Sequence, residues 1–148
     1  MTKEIERKFL IKVMPDLTNL TPLCYERYFI FRSEEVNIRI QKKGSNYELE
    51  RKEKKSNLSH DKQKITITEE EFNALKKYTE KPILRDSYLI SKNPEISVKI
   101  YYGKHEGLQR VEVEFKSVGE AKKFKPLDWF GEEITNTPLG KDSNLINI

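Results

Sequence analysis

Charged and apolar residues alternate along much of this chain, and this period of two is the feature that most constrains its fold. Near the N-terminus, Glu4, Glu6 and Lys8 fall on one side of a predicted strand, and Ile5 and Phe9 fall on the other. The same alternation occurs in residues 36–40, 48–52, 62–67, 96–101 and 111–115. The pattern therefore predicts strands with one apolar face and one charged face.

Two arrangements of such strands are compatible with the alternation. The solvent face of a half-exposed sheet usually mixes Thr, Ser, Gln and Lys, and seldom carries paired glutamates. Glu4 and Glu6 form one such pair, and Glu112 and Glu114 form another. We therefore predict an α+β fold in which a closed antiparallel β-barrel of about eight strands surrounds a charged tunnel, with a few flanking helices.

Short helices are predicted between and after the strands. Residues 68–71 form a capping box, which places Phe72 and Tyr78 on one face of the following helix. A second capping box begins at Ser117, and residues 139–146 are compatible with a short C-terminal helix.

Length and composition indicate a single domain and a reducing compartment. The 148 residues contain no linker or low-complexity tract, so one domain spanning 1–148 is expected. Cys24 is the only cysteine, which excludes an intramolecular disulfide. The chain starts in a charged strand and has no long apolar run, so we expect a cytoplasmic protein without a signal peptide or membrane span.

The net charge of +4 weakly favours anionic partners. Residues 51–55 are basic, but such runs are usually solvated hairpin tips, so a nucleic-acid partner is not favoured. His60 is placed in a predicted loop at 53–61, and His105 in another, so no His/Cys metal cluster is expected. Exposed apolar residues near Trp129 would permit a homodimer.

The paired glutamates have a simple chemical interpretation. Two carboxylates about 7 Å apart along a strand can together hold a divalent cation, which prefers oxygen ligands. Lys8 is then well placed for an anion carried by that cation. An exposed edge strand with its charges in water is the alternative.

Residues 4–8 resemble the N-terminal ExExK signature of the CYTH proteins, also called triphosphate tunnel metalloenzymes. That family includes inorganic triphosphatases, thiamine triphosphatases and class IV adenylate cyclases. Arg39, Lys52, residues 111–115 and residues 129–133 match further family features in the same order. The resemblance covers essentially the whole chain.

The resemblance implies a site in which a metal ion and basic side chains neutralise a bound triphosphate. The implied ligands of Mg²⁺ or Mn²⁺ are Glu4, Glu6, Glu112 and Glu114. The implied phosphate-binding residues are Lys8, Arg39, Lys52, Arg85 and Lys141, of which Lys52 and Arg85 are also implied in catalysis.

The chain departs from the family pattern on three predicted strands. Lys62, Lys64, Ser97 and Lys99 stand where the family usually has acidic residues. Glu48 and Glu50 appear on the strand before Lys62, where the family usually has none. We hypothesise a charge swap in which Glu48 or Glu50 pairs with Lys62 or Lys64 across neighbouring strands.

Three functions follow from the resemblance and from these departures. The first is metal-dependent hydrolysis of a triphosphate, most simply inorganic triphosphate. The second is a weakened or inactive tunnel that binds a triphosphate, a nucleotide or another polyanion. Class IV adenylate cyclase is the third and the least favoured, because no separate feature for recognising adenine is apparent.

Overall fold

The computed structural model describes residues 1–147 as nine strands and three short α-helices. The strands are β1 (Thr2–Ile11), β2 (Leu23–Arg32), β3 (Val36–Lys43), β4 (Asn46–Lys54), β5 (Ser59–Thr66), β6 (Ile83–Lys92), β7 (Glu95–Tyr102), β8 (Gln109–Phe115) and β9 (Phe130–Glu133). The helices are α1 (Glu69–Lys76), α2 (Val118–Lys123) and α3 (Asp142–Leu145), and single 3₁₀ turns lie at Gly103–His105 and Pro138–Gly140.

Eight of the strands close into an antiparallel barrel, in the order β5-β4-β3-β2-β6-β7-β8-β1. Strand β1 closes it, because its first residues pair with β5 while residues 5–10 pair with β8. The end of β1 pairs instead with β9, which is an additional strand outside the closed circle. The predicted α+β barrel is therefore confirmed.

The apolar faces of the strands point outward, and helix α1 covers one of them. Its capping box is formed: the Glu71 amide donates to the Thr68 hydroxyl at 3.1 Å, and the Thr68 amide donates to the Glu71 carboxylate at 2.8 Å. Phe72 is buried against Tyr28 and Tyr47, so Tyr28 is a core residue.

Two helix predictions need correction. Helix α1 ends at Lys76, so Tyr78 lies beyond it and is 85% exposed. The predicted C-terminal helix is divided into the 3₁₀ turn and α3. Lys141, between them, has an extended backbone with φ −125° and ψ 122°, which interrupts the helix.

The predicted loop at 53–61 is mostly strand, so the placement of His60 in a loop was wrong. Strand β4 continues to Lys54 and β5 begins at Ser59, which leaves only residues 55–58 as the turn. The Ser59 amide donates to the Ser56 hydroxyl at 3.1 Å and stabilises this tight connection.

Helices in the described part of the chain are all too short or too polar to cross a membrane.

Candidate functional site

A cavity of about 200 Å³ lies inside the barrel, and charged side chains line it. All nine residues predicted for the site lie in this lining: Glu4, Glu6, Lys8, Arg39, Lys52, Arg85, Glu112, Glu114 and Lys141. The lining also includes Tyr25, Arg27, Gln41, Glu50, His60, Lys62, Glu95, Ser97, Lys99 and Asp142. The charged strand faces therefore meet in one interior space.

Three glutamates form a row across neighbouring strands of one wall. Glu6 on β1 lies opposite Glu114 on β8, and Glu114 lies opposite Glu95 on β7. Burial, a hydrogen bond with the Glu95 side chain and the charges of Glu4 and Glu6 raise the pKa of Glu114 to about 8. Directly opposed like charges are destabilising, so the charges of Glu4 and Glu6 favour the protonated form of Glu114.

Lysine ammonium groups already contact the carboxylates of β1. The Lys52 ammonium lies 2.6 Å from Glu4 and 3.1 Å from Glu6. Lys62 lies 2.9 Å from the second oxygen of Glu4, and Lys8 lies 3.3 Å from Glu6. Burial alone would raise the pKa values of both glutamates, but the lysine charges lower that of Glu6 to about 2 and hold that of Glu4 lower still.

Carboxylates provide the oxygen ligands that Mg²⁺ and Mn²⁺ accept, so the donor set of this wall is chemically suited to either ion. In the described residues, no three His, Cys, Asp or Glu side chains stand in a metal-holding geometry. The contacts of Glu4 and Glu6 explain this, because their oxygens are directed to ammonium groups. A cation at Glu4 would compete with Lys52 and Lys62 for the same oxygens.

A buried arginine cluster surrounds Asp142 on another part of the cavity. The Asp142 carboxylate lies 2.7 Å from Arg27, 2.9 Å from Arg110 and 3.3 Å from Arg85. The Tyr101 hydroxyl also donates to it, at 2.6 Å. Burial would raise the pKa of Asp142, but these guanidinium groups hold it well below its usual range.

Glu112 connects this cluster to the glutamate wall. Its carboxylate accepts from Arg110 at 2.8 Å and lies 3.4 Å from Arg85. Lys8 lies opposite Glu112 in the register, and its ammonium donates to the Gly140 carbonyl at 2.7 Å. Glu112 and Lys8 thus stand between the acidic and the basic parts of the cavity.

The proposed charge swap is present in the structure. Glu50 lies 3.4 Å from Lys62, and Glu48 lies 3.5 Å from Lys64. Glu50 also lies 3.4 Å from Arg39. The pairing hypothesis is therefore confirmed, with Lys62 bridging Glu50 to Glu4.

Several lining residues were missed in the sequence. Glu95 extends the alternation of Ser97 and Lys99, so the period of two could have identified it. The same period extends from Glu112 and Glu114 to Arg110, which is fully buried behind the lining, where it contacts Asp142. Asp142 lies on a one-turn helix, where no strand period marks it.

Acidification is expected to weaken the metal-free fold. Burial would raise the pKa of Glu50, but Arg39 and other basic neighbours lower it to about 2, and Asp142 is shifted in the same direction. Groups with a lowered folded-state pKa stabilise the protein above the unfolded-state pKa of about 4, and this contribution is lost as the pH falls toward the folded value. Urea unfolding at pH 5, 4 and 3 should show a falling free energy of unfolding. Equal values at all three pH values would contradict this.

Two curated proteins are similar to this chain over nearly its whole length. An inorganic triphosphatase of Nitrosomonas europaea is 31% identical over 96% of this chain and 95% of its own. An inorganic triphosphatase of Acetivibrio thermocellus is 26% identical, over 99% of this chain and 94% of its own. No protein-family model matches the chain.

A solved structure supports the same relationship. The crystal structure of an inorganic triphosphatase superposes with a TM-score of 0.67 at 28% identity, over 99% of this chain and 95% of the other.

Proposed function

The chain belongs to the CYTH family of triphosphate tunnel enzymes, and from that premise we propose that it hydrolyses inorganic triphosphate with the help of a divalent cation. The observation that carries the proposal is the cavity itself, in which a wall of glutamates lies beside buried lysines and arginines. This arrangement suits a substrate that is a chain of phosphates with a bound cation. The activity of the curated relatives agrees with it.

The buried bases would bind the phosphate oxygens. Arg39 and Arg85 can donate two hydrogen bonds to one phosphate, whereas Lys8 and Lys52 act as point charges. Each of these four side chains contacts a protein oxygen in the structure, so the substrate would replace contacts that already position the bases. That pre-organisation lowers the cost of ordering the site around a reacting phosphate.

Glu4, Glu6 and Glu114 would hold the cation, with Glu112 completing the predicted set. When bound, Mg²⁺ or Mn²⁺ would neutralise phosphate charge and help to orient the attacking water. Lys52 contacts both Glu4 and Glu6, so it is placed to stabilise the charge that develops on the transferring phosphate.

Phosphate release from inorganic triphosphate, measured with Mg²⁺ and with Mn²⁺, tests this function. We expect metal-dependent release by the wild-type protein. The double variant Glu4→Gln/Glu6→Gln should lose at least about 10²-fold in rate, because several kcal/mol of charge stabilisation disappear.

The matched control is Glu69→Gln/Glu70→Gln, which neutralises two exposed glutamates on α1 and should leave the rate unchanged. Thermal unfolding of each variant confirms that it is folded. Unchanged release by the Glu4/Glu6 variant would overturn the cation's role, and absence of release by wild type would overturn the function.

A binding protein without turnover is the second candidate, and the lysines inside the cavity favour it. Lys62 occupies oxygens of Glu4 and Glu50. Lys99 is buried, and its pKa is lowered to about 8 by burial and by the charges of Arg85 and Arg27, against the opposing effect of Glu112. A rise in melting temperature with triphosphate, independent of metal and without phosphate release, would identify this function. Cyclic AMP formation from ATP would identify the cyclase.

A further inference from the structure

His60 lies on the seam where the barrel closes, directly beside the glutamates of β1. The register pairs His60 on β5 with Glu4 on β1. Directly opposed residues of two antiparallel strands share a face, with Cβ atoms about 4.5–5.5 Å apart. His60 lines the cavity together with Glu4 and Glu6.

The imidazole of His60 lacks a structural hydrogen bond that would explain its position. Its Nδ1 atom is buried and has no hydrogen-bond partner within the described residues. Leaving a buried polar atom without a partner is unfavourable, so hydrogen bonding within the protein does not account for the placement of this ring. The Nδ1 atom of His105 is also buried without a partner, but the His105 ring is held in place through its other nitrogen, Nε2, which lies 2.7 Å from the Leu145 carbonyl oxygen.

The His60 ring faces the same interior space as two carboxylates, so a cation there would meet a ring nitrogen as well as the oxygens of Glu4 and Glu6. Among the described residues these three side chains do not converge on one point, since the glutamate oxygens contact Lys52 and Lys62. A nitrogen donor beside two carboxylates is a mixed ligand set, unlike the all-oxygen sets typical of Mg²⁺.

We propose that His60 is a cation ligand in this tunnel, and that it makes the site prefer Mn²⁺ to Mg²⁺. Imidazole binds first-row transition ions well, whereas Mg²⁺ favours carboxylate, phosphate and water oxygens. The inference rests on the proposed function, because it assigns the cation of that same site. Cation binding at Glu4 would also release Lys52 from its 2.6 Å contact and make it available to phosphate.

Pulsed electron paramagnetic resonance of the untagged full chain loaded with Mn²⁺ tests the ligand directly. Wild type should show the nuclear modulation of a coordinated ¹⁴N atom. His60→Gln should abolish it and His105→Gln should retain it, and these are the only two histidines of the chain. If His60→Gln does not fold, wild-type protein labelled with ¹⁵N-histidine provides an alternative test. The ¹⁴N modulation should then be replaced by that of ¹⁵N, with no residue changed.

Calorimetric titration with each metal alone tests the preference. His60→Gln is expected to weaken Mn²⁺ binding on the order of tenfold, with a smaller effect on Mg²⁺. Absence of ¹⁴N modulation in wild type, its persistence in His60→Gln, or equal weakening for both metals would overturn the inference.

Measuring phosphate release alongside the resonance experiment distinguishes a wrong assignment of His60 from a wrong proposed function. Release with Mn²⁺ but without ¹⁴N modulation would overturn the His60 assignment alone. Modulation that depends on His60, without phosphate release, would support the cation site and overturn the hydrolase.

Discussion

Asp142→Ala is expected to lower the free energy of unfolding by about 3–5 kcal/mol, because it leaves a buried cluster of positive charges without its central anion. Arg27 and Arg110 lie within 3 Å of the Asp142 carboxylate, and Arg85 lies 3.3 Å away. The Tyr101 hydroxyl would lose its acceptor as well. Since Asp142 also begins α3, the C-terminal segment should loosen with the arginine cluster.

Thermal and urea unfolding measure this effect. A loss of that size corresponds to a fall in melting temperature of about 6–20 °C for a chain of this length. The matched control is Glu80→Ala, which removes a carboxylate that is 68% exposed and 3.4 Å from Arg32. The control should change stability by less than about 1 kcal/mol. Equal effects of the two variants would show that the buried cluster does not stabilise the fold.

Lys52→Met is expected to reduce kcat/KM for inorganic triphosphate by about 10²–10³-fold, the usual effect of removing one pre-organised charge from a reacting centre. Lys52 is buried in the cavity and lies within 3.1 Å of both Glu4 and Glu6. Lys62 and Lys8 contact those glutamates independently of Lys52. We therefore expect the substitution to reduce catalysis more than the stability of the fold.

Steady-state kinetics at saturating metal, with melting temperatures measured in parallel, check this expectation. Lys64→Met is the matched control, because Lys64 pairs with Glu48 at 3.5 Å with its side chain 43% exposed and outside the cavity lining. Lys64→Met should retain the wild-type rate within about threefold. Similar losses in both variants would indicate a general effect of removing a lysine charge and contradict a specific role for Lys52.

Much of the cavity lining was predictable from the local period of the strands. Glu4, Glu6 and Lys8 share a face because consecutive side chains of a strand alternate, and this holds whichever strand lies beside them. The same reasoning places Arg39, Lys52, Glu112 and Glu114, and all of these line the cavity. The apolar residues between them predict a sheet with one buried face. The paired glutamates on the other face led to the prediction that the sheet closes into a barrel.

Only the tertiary structure could decide which residues from distant parts of the chain lie next to each other in the cavity. His60 faces Glu4 because β1 pairs with β5 where the barrel closes, although residues 5–59 lie between the two in the sequence. Asp142 reaches the arginines from a one-turn helix that carries no strand period. Side-chain alternation is a property of each strand, which the sequence determines. Closure depends on long-range register and packing, and these arise only when the whole chain folds.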